Sequence, residues 1–83
     1  MRYFFDVHAG SLSDWDDVGI FVKDLDDAVS HATYMLAVVL GDIDRLGGDR
    51  HAVIMIRDSS GIPIATVKGH GREEPRVIFS LRR

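Results

Sequence analysis

The stretch from Asp24 to Gly48, DLDDAVSHATYMLAVVLGDIDRLGG, constrains the fold of this 83-residue chain more than any other. It is the one segment long and periodic enough to require a helix. On a wheel of about 100° per residue, Leu25, Ala28, Val29, Ala32, Leu36, Val39, Leu40, Ile43 and Leu46 fall within an arc of roughly 120°, the width of a core-facing stripe. Asp24 is placed to cap the amino end. Asp26 and Asp27 sit where the macrodipole favours negative charge, and Asp27 stands where a capping box carries Glu. Arg45 lies near the other end, and Gly47-Gly48 supply a left-handed stop. The far side is less ordinary: His31, Tyr34 and Val38 cluster opposite the stripe with Met35 on the flank, where a solvated helix carries Lys and Glu. Four such neighbours mark a partner-binding patch.

The flanking segments read as strands. Arg2 to His8 alternates, with Tyr3, Phe5 and Val7 on one face and Phe4 and Asp6 on the other. Ala9 to Asp17 is rich in Gly, Ser and Asp and reads as a loop. Val18 to Lys23 alternates again. Beyond the helix, Ala52 to Arg57 is apolar on both faces, as in a central strand. Asp58-Ser59-Ser60-Gly61 is a turn leading into Ile62 to Lys68, where Pro63 fits an edge best. Gly69 to Pro75 is a connector, and Arg76 to Leu81 an optional fifth strand.

A right-handed crossover of the helix then gives an α+β fold, β-β-α-β-β, with an antiparallel sheet of order 2-1-3-4. One helix covers one face only. Phe4 and either Val53 with Met55 or Ile54 with Ile56 remain on the other, awaiting a cover. We expect residues 1–69 to form a single domain and residues 70–83 an extension that adds or exchanges a strand.

This length is near the lower limit for a single unstapled core, and with no cysteine there are no disulfides and no thiolate metal site. The start Met1-Arg2-Tyr3-Phe4-Phe5-Asp6 lacks the pattern of a signal peptide. The longest apolar run, Tyr34 to Leu40, has seven residues, against roughly 20 for a spanning helix. The expectation is a soluble, cytoplasmic protein. Residues 1–67 carry −6 and residues 68–83 carry +3. The acidic body repels phosphate, so a nucleic-acid role falls to the tail.

Arg2-Tyr3-Phe4-Phe5, Asp16-Asp17-Val18-Gly19, Asp24-Leu25 with Ala28, and Asp58-Ser59-Ser60-Gly61-Ile62-Pro63-Ile64-Ala65-Thr66-Val67 together resemble a family of short uncharacterised bacterial proteins, a domain of unknown function. The likeness covers roughly residues 2–68. It implies a small α+β domain and brings no activity, cofactor or functional residue with it. Two departures stand out. The middle of the helix is more apolar than the family's charged helix, and residues 69–83 run past its usual end.

Candidate chemistry is thin. Asp14, Asp16 and Asp17 in the first loop and Asp24, Asp26 and Asp27 at the helix start suit a hard cation, yet the EF-hand pattern is absent, and a solvated loop with helix capping accounts for all six. His8, His31, His51 and His70 lack HxxxH or HExxH spacing, although His8 and His51 approach each other if the first and third strands pair. Ser59 and Ser60 are turn residues, and Gly69-His70-Gly71 is half a phosphate loop with no helix behind it.

The reading is therefore a non-enzymatic module with no catalytic residue, metal or cofactor, associating as a homodimer or with another protein. Its interface candidates are His31, Tyr34, Met35, Val38, Phe4, Val77, Phe79 and Leu81. The alternative is a nucleic-acid binder using the basic tail Arg76, Arg82 and Arg83 with the sheet aromatics Phe4 and Tyr3. A weaker alternative is a small-ligand or metal-binding regulator.

Overall fold

Gly10, with φ of 61°, turns Arg2–Ala9 (β1) straight back into Leu12–Asp14 (β2) through a two-residue hairpin. Glycine at the first central position is what a type II′ turn requires. The computed structural model describes residues 1–80. Within them follow Ile20–Phe21 (β3), Leu25–Leu46 (α1), His51–Arg57 (β4), Pro63–His70 (β5) and Arg76–Phe79 (β6). All the strands join one antiparallel sheet in the order β2-β1-β4-β5-β6, and β3 lies beside β2 on the outer edge of β1. β2 pairs with Val7 to Ala9 and β3 with Arg2 and Tyr3, so the middle of that edge faces the loop between them.

The main strands take the expected relative order, and β6 adds the fifth by pairing with β5 of its own chain. Two details are corrected. The Ala9 to Asp17 stretch is no simple loop, because β2 lies inside it. The strand expected over Val18 to Lys23 shrinks to Ile20–Phe21. The backbone N–H groups of Val18 and Gly19 are drawn to the Asp16 carboxylate, at 3.0 and 2.9 Å, and φ of 78° at Gly19 bends the chain just before β3.

α1 begins and ends as its caps dictate. The Asp24 carboxylate accepts from Asp27 N–H at 2.8 Å, and the Asp27 carboxylate accepts from Lys23 N–H at 3.0 Å. Gly47 takes a left-handed conformation, its N–H donating to the carbonyls of Asp44 and Ile43. Ala28, Ala32, Leu36 and Leu40 are buried against Tyr3, Phe5 and Val7 of β1, Ala52, Ile54 and Ile56 of β4, and Ala65 and Val67 of β5. Gly69 belongs to this layer by necessity, since a Cβ there would stand 2.7 Å from Leu40 Cδ1. Leu46 departs from the expected stripe: it lies in the last turn and is exposed. Of the two alternatives for the uncovered face, Val53 and Met55 remain there beside Phe4, while Ile54 and Ile56 go into the core.

Candidate functional site

Asp6 is fully buried on the sheet face that α1 does not cover, and Arg57 lies across the β1–β4 pairing from its neighbour Phe4. The guanidinium reaches the carboxylate with two bonds, Nε to Oδ2 at 2.6 Å and Nη2 to Oδ1 at 2.9 Å. Such a fork is the strong form of ion pair, and burial requires it, because an isolated charge there would be expensive.

Asp16 completes the network from the loop between β2 and β3. Its N–H donates to Asp6 Oδ1 at 2.9 Å and its carbonyl accepts from Arg57 Nη2 at 2.9 Å. Its carboxylate accepts from the N–H groups of Phe5, Val18 and Gly19. The Phe5 bond takes up an outward backbone donor in the gap between β2 and β3. The expectation that a solvated loop and helix capping account for all six aspartates is therefore wrong for Asp16, which is half-buried and holds the loop to the sheet. Burial pushes the carboxyls of both Asp6 and Asp16 upward. For Asp6 the Arg57 guanidinium and Asp16 N–H outweigh it, and for Asp16 the three backbone donors and the Arg57 charge do, so both titrate below the ordinary aspartate value. The bonds to Asp6 raise Arg57 in turn.

Around the ion pair, cations and rings alternate. The Arg57 guanidinium carbon lies 3.9 Å from the Trp15 ring centre and 4.9 Å from that of Phe4. Arg2 follows, 5.1 Å from Phe4 and 5.9 Å from Phe21. The ladder Trp15–Arg57–Phe4–Arg2–Phe21 presents its two outer rings to solvent, Trp15 being 61% and Phe21 77% exposed. Cation–π contacts of this kind hold the rings in place while leaving their outer faces free.

Between this loop and α1 runs a groove of about 510 Å³ lined by Phe5, Val7, Trp15, Val18, Ile20 and Met35, with Asp14 and Asp17 on its rim. The helix patch reaches it. His31 packs edge-on against Phe5 at 4.9 Å and Met35 lines the groove, while Tyr34 and Val38, next on the same helix side, are exposed. Phe4 is half-buried within the ladder. Val77, Phe79 and Arg76 lie on β6 at the opposite edge of the sheet, so the structure divides the interface candidates between two surfaces. Leu81, Arg82 and Arg83 lie outside the described residues. Tyr3 is buried beneath α1 and is not free to stack on a base.

His51 meets His70 rather than His8, their rings 5.5 Å apart across β4 and β5. With Lys68, Arg76, Glu73 and Glu74 they line a second cavity of about 290 Å³. Among the described residues, no group of three or more His, Cys, Asp or Glu side chains is placed to hold a metal ion. In the same residues no helix is long and apolar enough to cross a membrane.

The network and the ladder escape a reading by segment, because Asp6 and Arg57 are 51 positions apart. A signal was present: an aspartate inside an aromatic strand and an arginine closing an apolar one are two charges that each need a buried partner.

A profile of a domain of unknown function, DUF6894, matches residues 2–69. The chain belongs to the DUF6894 family. No curated protein and no solved structure matched it. The family match spans the ion-pair network, the groove and α1 of this DUF6894 chain, and ends before β6.

Proposed function

We propose that this DUF6894 chain is a non-enzymatic interaction module that works as a homo-oligomer. Surplus apolar surface carries the reading: Trp15, Val18, Ile20 and Phe21 beside the groove, Tyr34 and Val38 on α1, and Val77, Ile78 and Phe79 on β6 all stand exposed. Patches of this kind on a small domain serve association. The buried or half-buried charged groups Asp6, Asp16 and Arg57 are occupied with one another and with the backbone, which supports a structural role for them. Size exclusion with light scattering tests the reading. A mass of twice 9.3 kDa or more at micromolar concentration is expected, and a monomer throughout would sink it.

A second reading, binding of a nucleic acid or another phosphate-bearing ligand, has one observation in its favour. Lys68 lies directly opposite Arg76 on the uncovered face. Like charges set opposite each other are unfavourable until an anion joins them. Fluorescence anisotropy with a labelled single-stranded oligonucleotide at low salt should then report binding that Lys68→Ala weakens; a flat titration disposes of it.

A further inference from the structure

The two edges of the sheet differ. On the β1 side, β2 and β3 cover the ends and the Asp16 carboxylate takes the Phe5 N–H between them. On the β6 side, among the described residues, nothing pairs outward. The direction of its backbone follows from one bond: Ser80 N–H donates to the Ile64 carbonyl at 2.9 Å. Antiparallel strands alternate the direction of their polar groups, so Ile78 also turns its N–H and C=O inward to β5, and Val77 and Phe79 turn theirs outward. Between Val77 and Phe79 no charge, proline or bulge interrupts the strand, the devices by which edges are usually kept from pairing. Val77 and Phe79 oppose Val67 and Ala65, so they share the sheet face of α1, yet they remain 39% and 49% exposed.

We propose that β6 pairs with β6 of a second copy, antiparallel, about a two-fold axis passing through Ile78. This rests on the homo-oligomer reading and names its surface. In that register Val77 of each copy opposes Phe79 of the other, and their outward N–H and C=O groups form four hydrogen bonds across the axis. Ile78 opposes Ile78 on the far face, so apolar residues meet apolar residues on both sides of the joined sheet. A register centred on Val77 would set Phe79 against Pro75, which has no N–H to give. Each β6 edge is taken up by the other across the two-fold axis, so the contact closes at two copies, with both helices on the same side of a continuous sheet.

The absence of cysteine makes the axis testable. Ile78 faces itself in a non-hydrogen-bonded pair, where Cα atoms are about 4.5 Å apart, within disulfide reach. Under mild oxidation the Ile78→Cys chain should convert to a covalent dimer, and Val77→Cys, which faces Phe79, should stay single. Val77→Lys should lower the light-scattering mass to that of one chain while the circular-dichroism spectrum is retained. If the unaltered chain is monomeric, the homo-oligomer reading fails and this pairing with it. If the unaltered chain is dimeric but Ile78→Cys does not cross-link, or folded Val77→Lys remains a dimer, the edge assignment is overturned and the copies meet elsewhere.

Discussion

Asp6 carries more of the structure than its single charge suggests, because three partners depend on it: both forks of Arg57 and the N–H of Asp16. Replacing it with Ala leaves a guanidinium buried and half-partnered, which typically costs about 3–5 kcal/mol, and the melting temperature should fall accordingly. The double change Asp6→Leu with Arg57→Met removes both charges together and should recover most of that loss. The pH dependence follows from the same groups. Asp6 and Asp16 titrate lower in the folded chain than in the unfolded one, so their contribution is complete above the unfolded aspartate value of about 3.9 and is lost as pH falls through the lower folded values. A series of melts should be flat from pH 7 to about 5 and drop steeply below about 4; the double variant should show the shallower drop. Gly19 is the other sensitive position. Its φ of 78° already disfavours a side chain, and a Cβ would stand 3.0 Å from the Tyr3 carbonyl, so Gly19→Ala should lower the melting temperature.

α1 is the element that the sequence describes best, and the reasons are local. Its caps, Asp24 and Gly47, act through bonds within four residues, and its stripe needs only a surface to lie on. Leu36→Ala, at a fully buried position, should cost about 2–5 kcal/mol in chemical denaturation, against about 1 kcal/mol for Asp24→Ala at the cap. The central strands were equally readable, from apolar runs and a turn at Asp58 to Gly61. β2 was not: Leu12-Ser13-Asp14 has no strand character of its own and exists because Gly10 turns the chain back onto β1. The same limit applies to the candidate site. Exposed rings such as Trp15 and Phe21 are visible as residue types, but the ladder that fixes them requires the β1–β4 register, which pairs Phe4 with Arg57. On the helix the patch of His31, Tyr34, Met35 and Val38 was visible from spacing, while the groove it borders depends on where the β2–β3 loop comes to rest.

For the molecule as a whole, the position of β1 matters most. It precedes the other described strands in the chain, and it sits between two short partners and β4, which begins at His51. β2 closes onto β1 through a two-residue turn and β3 pairs with it at separations of 17 and 19 residues, but Phe5 meets Ile56 only after a separation of 51 residues has been closed. Non-local pairing of this kind is paid in loop-closure entropy before any contact rewards it, and it slows folding. The rate-limiting event should therefore be the meeting of β1 with β4 beneath α1, with β6 added afterwards. Stopped-flow refolding followed through Trp15, the one tryptophan of the chain, can separate the two. Ile54→Val should slow refolding, while Val77→Ala, measured at a dilution that keeps the chain single, should leave the refolding rate unchanged and speed unfolding. A growing polypeptide would thus hold β1, β2 and β3 as an unfinished sheet edge for the time needed to synthesise α1 and β4, and its aromatic opening strand would wait for its central partner throughout that interval.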